Sequence, residues 1–138
     1  LLFRPGLHQR VEHALRDIER MTAGIAVVVG HPECEDGTIF NSASYIVEGV
    51  TRTVYRKQRL PNYEVFDEKR YFVAGSMPCV IDVDGIAVGL SICEDIWEPE
   101  PAQFARSQGA ELLLVINASP FELRKQAARE AIVRERIR

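Results

Sequence analysis

Pro78-Cys79-Val80-Ile81-Asp82-Val83-Asp84-Gly85-Ile86-Ala87-Val88-Gly89-Leu90-Ser91-Ile92-Cys93 is the stretch on which the reading of this chain turns. Two apolar runs, Pro78 to Val83 and Ile86 to Ile92, flank Asp84-Gly85. Asp-Gly supplies the positive-φ positions of a tight hairpin turn, so the runs read as strands joined there. Cys93 ends the second strand, and Glu94-Asp95 follow at once. A small nucleophilic side chain at a strand-to-turn junction stands exposed at the sheet edge. The next backbone N–H can then point at a developing oxyanion. A buried structural cysteine is the competing reading, since free cysteine packs well in cores. Cys34, read in a polar loop, and Cys79, read inside a strand, have no comparable setting.

Upstream, Val11, Ala14, Leu15 and Ile18 recur at helical spacing, which predicts an amphipathic helix over Gly6 to Met21. Ile25 to Gly30 is a β-branched run that reads as a strand buried on both faces. Asp36-Gly37 is a second hairpin signal. Thr38 to Glu48 and Val50 to Lys57 then read as an antiparallel pair turning at Gly49, before a polar loop from Pro61 to about Lys69. Downstream, Pro99 opens a helix at a position where a missing N–H costs nothing. Phe104 and Ala105 are expected to face inward, and Gly109 to end that helix. Leu112 to Ile116 is a fully apolar strand, and Leu123 to Arg138 a closing helix whose many basic residues read as a solvated face. Helices alternating with apolar strands, with hairpins between, point to a layered α/β domain with a mixed sheet.

The composition narrows the function classes. The chain has 138 residues, 46% hydrophobic and 27% charged, as expected of one ordinary globular domain rather than a disordered segment. Seventeen basic against twenty acidic residues give a net charge of −3, which argues against a nucleic-acid binder. No apolar run approaches the roughly 20 residues that span a bilayer. Three widely spaced cysteines form no CxxC pair, so a reducing, cytoplasmic setting is expected. The histidines have no partners at ligand spacing, and no structural metal is expected. Leu1-Leu2-Phe3-Arg4-Pro5 lacks the basic leader of a signal peptide, and a helical pattern runs to the last residue. Both ends read as cut, so a piece of a longer chain is expected.

Two more residues carry candidate chemistry. Lys57 ends a strand just before Leu60-Pro61, and an ammonium brought close to a thiol favours the thiolate. Glu68 lies in the charge run Phe66-Asp67-Glu68-Lys69-Arg70. Taken singly, each reads first as a solvated surface charge.

Three segments taken together resemble the nitrilase superfamily of carbon-nitrogen hydrolases. Val54 to Phe72, with Lys57, Leu60-Pro61-Asn62-Tyr63 and Phe66-Asp67-Glu68, resembles the superfamily's lysine segment. Its form is most similar to the glutaminase domains of glutamine-dependent NAD synthetases. Gly89 to Trp97 resembles the nucleophile segment, and Asn117-Ala118-Ser119-Pro120-Phe121 the strand-end segment after it, in the same order and spacing. Leu1 to Gly6 resembles the stretch that follows the family's first catalytic motif.

The resemblance implies a nitrilase-like four-layer α-β-β-α sandwich, incomplete at both ends, with residues 1–138 as part of one glutamine amidohydrolase domain. It implies a Glu-Lys-Cys triad in which Cys93 is the nucleophile and Lys57 the lysine. Glu68 matches a second acidic residue near the substrate, and Tyr63 a residue enclosing the glutamine side chain. The Glu94 N–H would serve the oxyanion. Ser119 and the Arg124-Lys125 pair fall where the family holds the α-amino acid end of glutamine, although Arg124 stands where the family pattern has glycine. The triad glutamate belongs upstream of Phe3-Arg4-Pro5, and nothing here matches it, so little turnover is expected of these residues alone. L-Glutamine and a synthetase domain are the implied partners, and the family's oligomers imply self-association. ATP and Mg²⁺ are implied only for the synthetase domain, since no phosphate-cradling glycine loop occurs here. Another amidase or carbamoylase of the superfamily, and a non-catalytic assembly module, are the alternatives.

Overall fold

The computed structural model describes residues 2–63, 66–119, 123 and 125–137. They form two compact units, Leu1–Met77 and Pro78–Arg138.

The first unit starts with helix α1 (Leu7–Met21), entered through Gly6 at φ 74°. Val11, Leu15 and Ile18 are half-buried, while Ala14 of the expected stripe is exposed. Three antiparallel strands follow in the order β1 (Val27–Glu35), β2 (Thr38–Val47) and β3 (Val50–Arg56). The Asp36-Gly37 and Glu48-Gly49 turns have positive φ at both residues, the conformation that joins twisted strands most tightly. The central strand β2 is buried continuously from Ser42 to Ile46. Glu19 ties helix to sheet, its carboxylate accepting the Thr51 N–H at 2.9 Å and the Thr51 hydroxyl at 2.7 Å.

Two buried serines in β2 each need a partner. Ser44 has His31 Nε2 at 2.7 Å, and Ser42 donates to Glu33 at 2.6 Å. Arg56 grips the same Glu33 through two N–H groups, at 2.8 and 2.6 Å. Its guanidinium also lies 4.0 Å from the centre of the Phe40 ring.

Those partners set the acid sensitivity of this unit. The Arg56 guanidinium, helped by Ser42, holds the Glu33 carboxyl below its ordinary 4.5. The Thr51 hydroxyl and N–H do the same for Glu19. Both folded values are depressed, so the unfolded chain takes up protons first as the pH falls. The stabilisation is complete above the ordinary value and is lost as pH drops through the folded values. The melting temperature of this unit should therefore fall on acidification from about pH 5 to about pH 3. Glu33→Gln should flatten that slope in a thermal melt series; an unchanged slope would contradict the assignment.

The second unit has a mixed sheet ordered β4 (Val80–Val83), β5 (Ile86–Ile92), β6 (Leu112–Ile116). Strands β4 and β5 are antiparallel through the Asp84-Gly85 turn, whereas β5 and β6 are parallel. A parallel return needs a crossover, and helix α2 (Pro99–Ser107) supplies it. Pro101, Ala102 and Ala105 are buried. Gly89 lets that layer close on the sheet, since a Cβ there would sit 2.9 Å from Leu113 Cδ2 and 3.1 Å from Ala105 Cβ. Helix α3 (Lys125–Arg136) completes the unit.

Several expectations need correction. β1 begins at Val27 and continues through His31-Pro32 to Glu35, so Cys34 lies in a strand, opposite Ile39. Proline fits because β1 is an edge strand, where one missing N–H breaks no ladder. No β1 residue is fully buried, since β1 has a neighbour on one side only. Cys79 precedes β4 rather than lying within it, and its carbonyl accepts the Leu90 N–H at 2.9 Å. Phe104 is 37% exposed, because the buried stripe of α2 runs through Pro101, Ala102 and Ala105. The basic face of α3 is not wholly solvated, as Arg136 turns inward with 10% of its side chain exposed.

Candidate active site

Lys57 directly follows β3 and keeps its alternation, so it shares a sheet face with Tyr55; both are 1% exposed. Backbone bonds fix it on both sides. Its N–H donates to Asn41 O at 2.8 Å, and its carbonyl accepts the Gly75 N–H at 2.8 Å. A fully buried ammonium requires a counter-charge. Glu68 supplies it, with both carboxylate oxygens on Lys57 Nζ at 2.9 and 2.8 Å. Glu68 opens a short 3₁₀ turn (Glu68–Arg70) that folds the polar loop back, its N–H donating to the Pro61 carbonyl at 3.1 Å. The charge run is therefore not a solvated loop at this residue. Tyr63, in the same loop, is half exposed and meets Phe66 edge-on, with ring centres 5.9 Å apart.

Cys93 lies in the second unit, just past the end of the buried strand β5. Its φ is 47°. Left-handed backbone costs a non-glycine residue about 1–2 kcal/mol and marks a sharp turn out of the strand. The chain enters a one-turn 3₁₀ segment there (Cys93–Ile96), which also carries Glu94. Parallel pairing of Ile92 with Ile116 brings the carboxyl ends of β5 and β6 side by side. Ser119, three residues past β6, thereby reaches Cys93, with Oγ 3.5 Å from Sγ. Sites in open parallel sheets form at this end of the strands.

Of the expected site residues, Lys57, Tyr63 and Glu68 belong to the first unit, and Cys93, Glu94, Ser119 and Lys125 to the second. Within the units, Lys57 meets Glu68 and Cys93 meets Ser119. Lys125 sets its ammonium 5.2 Å from the centre of the Trp97 ring. Arg124 lies outside the described residues. Two further residues flank the Cys93 turn. Asp95 is fully buried and accepts the Ile92 N–H at 3.0 Å. Arg136 donates to the Ile96 and Trp97 carbonyls at 3.0 and 2.8 Å. The position of Asp95, two residues after the cysteine, is a signal present in the sequence. Nothing in the pattern of α3 separates Arg136 from its solvated neighbours.

Comparison with known proteins supplies a family context. Residues 12–136 match the family described as Carbon-nitrogen hydrolase. A glutamine-dependent NAD(+) synthetase of Xanthomonas campestris pv. campestris is 47% identical over 140 residues, covering 100% of this chain and 25% of that protein. A glutamine-dependent NAD+ synthetase structure from Acinetobacter baumannii, in complex with ADP, superposes with a TM-score of 0.92 at 36% identity. It covers 97% of this chain and 26% of its own. An amidase from Nesterenkonia sp. AN1, bearing a Michael adduct of acrylamide at its active-site cysteine, superposes with a TM-score of 0.79 at 28% identity. It covers 94% of this chain and 50% of its own. The chain thus spans about a quarter of the length of the curated relatives it matches. Among the described residues, no helix is long and apolar enough to cross a membrane.

Proposed function

The chain belongs to the carbon-nitrogen hydrolase family, with its nitrilase-like α/β fold, and from that premise we propose that it is the glutamine-hydrolysing part of a glutamine-dependent NAD synthetase. The observation that carries the chemistry is Cys93 turned out of a buried strand at positive φ, with a serine hydroxyl beside its sulfur. The choice of glutamine rests on the likeness of the whole chain to synthetases named for it.

In this reading the Cys93 thiolate attacks the side-chain amide carbon of L-glutamine and forms a tetrahedral oxyanion. The Glu94 N–H and the Lys57 ammonium stabilise that charge, each worth on the order of 3 kcal/mol where water is excluded. Collapse of the oxyanion breaks the C–N bond and releases ammonia once the nitrogen has gained a proton. The acyl group remains on sulfur as a thioester, and water then attacks it, giving glutamate and the free thiol. A general base must take the thiol proton and later the water proton, and a residue outside these 138 is assigned that role. Glu68 is occupied in holding Lys57, which supports its assignment as the counter-ion of the oxyanion donor. Ammonia would pass to the synthetase part of the parent protein, where ATP-dependent amidation belongs.

The likeness to the Nesterenkonia amidase favours a second reading, a simple amidase with the same thiol chemistry. A protection panel separates the two and needs no turnover. Cys93 is alkylated with iodoacetamide in the presence of L-glutamine, acetamide or an N-carbamoyl amino acid, and the modified fraction is read by mass spectrometry. Glutamine alone is expected to slow the reaction. Protection by acetamide or the carbamoyl compound, with none from glutamine, would contradict the glutaminase reading.

A further inference from the structure

Among the described residues, four non-glycine positions have positive φ: Asp36, Glu48, Asp84 and Cys93. The first three each precede a glycine in a hairpin turn, where that conformation is the easy one. Cys93 is in no such turn, and a strained backbone persists only where its surroundings hold it. Two side chains outside the reacting set do so. Asp95, 0% exposed, reaches back across the bend and accepts the N–H of Ile92, the last residue of β5, at 3.0 Å. Arg136, from α3, grips the far end of the same turn. Its Nε donates to Ile96 O at 3.0 Å and its Nη2 to Trp97 O at 2.8 Å. The turn is thus pinned at its start by a carboxylate and at its end by a guanidinium.

The pins matter because of strand alternation. Ser91, two residues before Cys93, is 3% exposed. Extended backbone at residue 93 would continue the strand and send the thiol onto the buried face that holds Ser91. Positive φ turns it away from that face, and Cys93 is half-buried instead. We infer that Asp95 and Arg136 are positioning residues for the nucleophile, jointly holding Cys93 in the left-handed conformation that presents its sulfur. The inference rests on the reading of Cys93 as the nucleophile.

Iodoacetamide alkylation of the full chain tests it, with Cys93 followed by peptide mass spectrometry and the exposed Cys34 as internal reference. Asp95→Ala and Arg136→Met should each slow Cys93 by about tenfold or more, with Cys34 unchanged. Asp95→Asn keeps an oxygen for the Ile92 N–H and should stay within about threefold of the parent chain. General loss of fold moves both cysteines together, whereas loss of positioning changes their ratio. Should Asp95→Ala fail to fold by circular dichroism, Arg136→Met and Asp95→Asn still decide. Parent-like alkylation in either truncated variant, once shown to be folded, overturns the inference. So does an Asp95→Asn rate as low as that expected of Asp95→Ala. The assay contains no glutamine, so a failure of the glutaminase reading, seen as absent glutamine protection of the parent chain, is recorded separately.

Discussion

Glu68→Ala is expected to destabilise the chain by about 3 kcal/mol, read as a lower urea midpoint at unchanged slope. Lys57 Nζ is fully buried, and both Glu68 oxygens lie within 2.9 Å of it. Removing the carboxylate leaves a buried ammonium without the counter-charge that holds it, which costs more than the ion pair itself contributes. Lys57→Met should do less, because the orphaned Glu68 side chain remains 20% exposed and keeps some hydration. Glu68→Ala together with Lys57→Met removes both charges, and should lose less than the two single variants summed. Strictly additive single and double losses would mean that the pair is not coupled and that Lys57 has another counter-charge. The same variants bear on the proposed function, in which a Lys57 freed from Glu68 would lose the fixed position that a preorganised oxyanion donor requires.

Gly75→Ala should cost about 2–3 kcal/mol, more than an alanine at any hairpin glycine. A Cβ on Gly75 would run into the carbonyl oxygen, carbonyl carbon and Cβ of Arg56. Nothing there is the far end of a flexible side chain, so backbone has to move. The segment that must give is the one whose Gly75 N–H bonds to the Lys57 carbonyl at 2.8 Å. The substitution therefore pushes on the residue whose ammonium the proposed mechanism uses. At Gly37, by contrast, an added Cβ would meet no atom within 4 Å, and the position is constrained only by its φ of 79°. Gly37→Ala should lose about 1 kcal/mol through that backbone term alone. Comparing the two by thermal melts tests the packing argument, and equal losses would contradict it.

Where one residue type forces the local backbone, the structure is legible in the sequence. Asp36-Gly37 and Asp84-Gly85 announce two of the three hairpins among the described residues because few other pairs tolerate two positive-φ positions. Pro99 announces the start of α2 for an equally local reason. Position-dependent outcomes are less legible. The stretch from Ile25 to Gly30 reads as an inner strand, yet β1 lies at a sheet edge, and its place in the strand order is what allows Pro32. Hydrophobicity alone puts Phe104 inside, but small residues line the buried stripe of α2, where Gly89 and Ala105 bring sheet and helix close.

The site divides the same way. Cys93 can be singled out because it follows a strand directly, and Lys57 and Glu68 because three segments in register resemble one family. That Glu68 grips Lys57 depends on a 3₁₀ turn folding the loop back through Pro61, which no periodicity encodes. Arg136 reaches the Cys93 turn across about forty residues of sequence, and Arg134 in the same last turn of α3 is just as basic. Contacts of that range are set by tertiary packing rather than by local pattern.

Covalent labelling with an electrophilic glutamine analogue, mapped by mass spectrometry with and without excess L-glutamine, tests most directly whether Cys93 is the nucleophile of a glutamine site. An adduct is expected on Cys93, none on Cys34 or Cys79, with suppression by glutamine. A Cys93 that reacts with iodoacetamide yet ignores the analogue would contradict that assignment, because the thiol would then be accessible with no glutamine pocket around it.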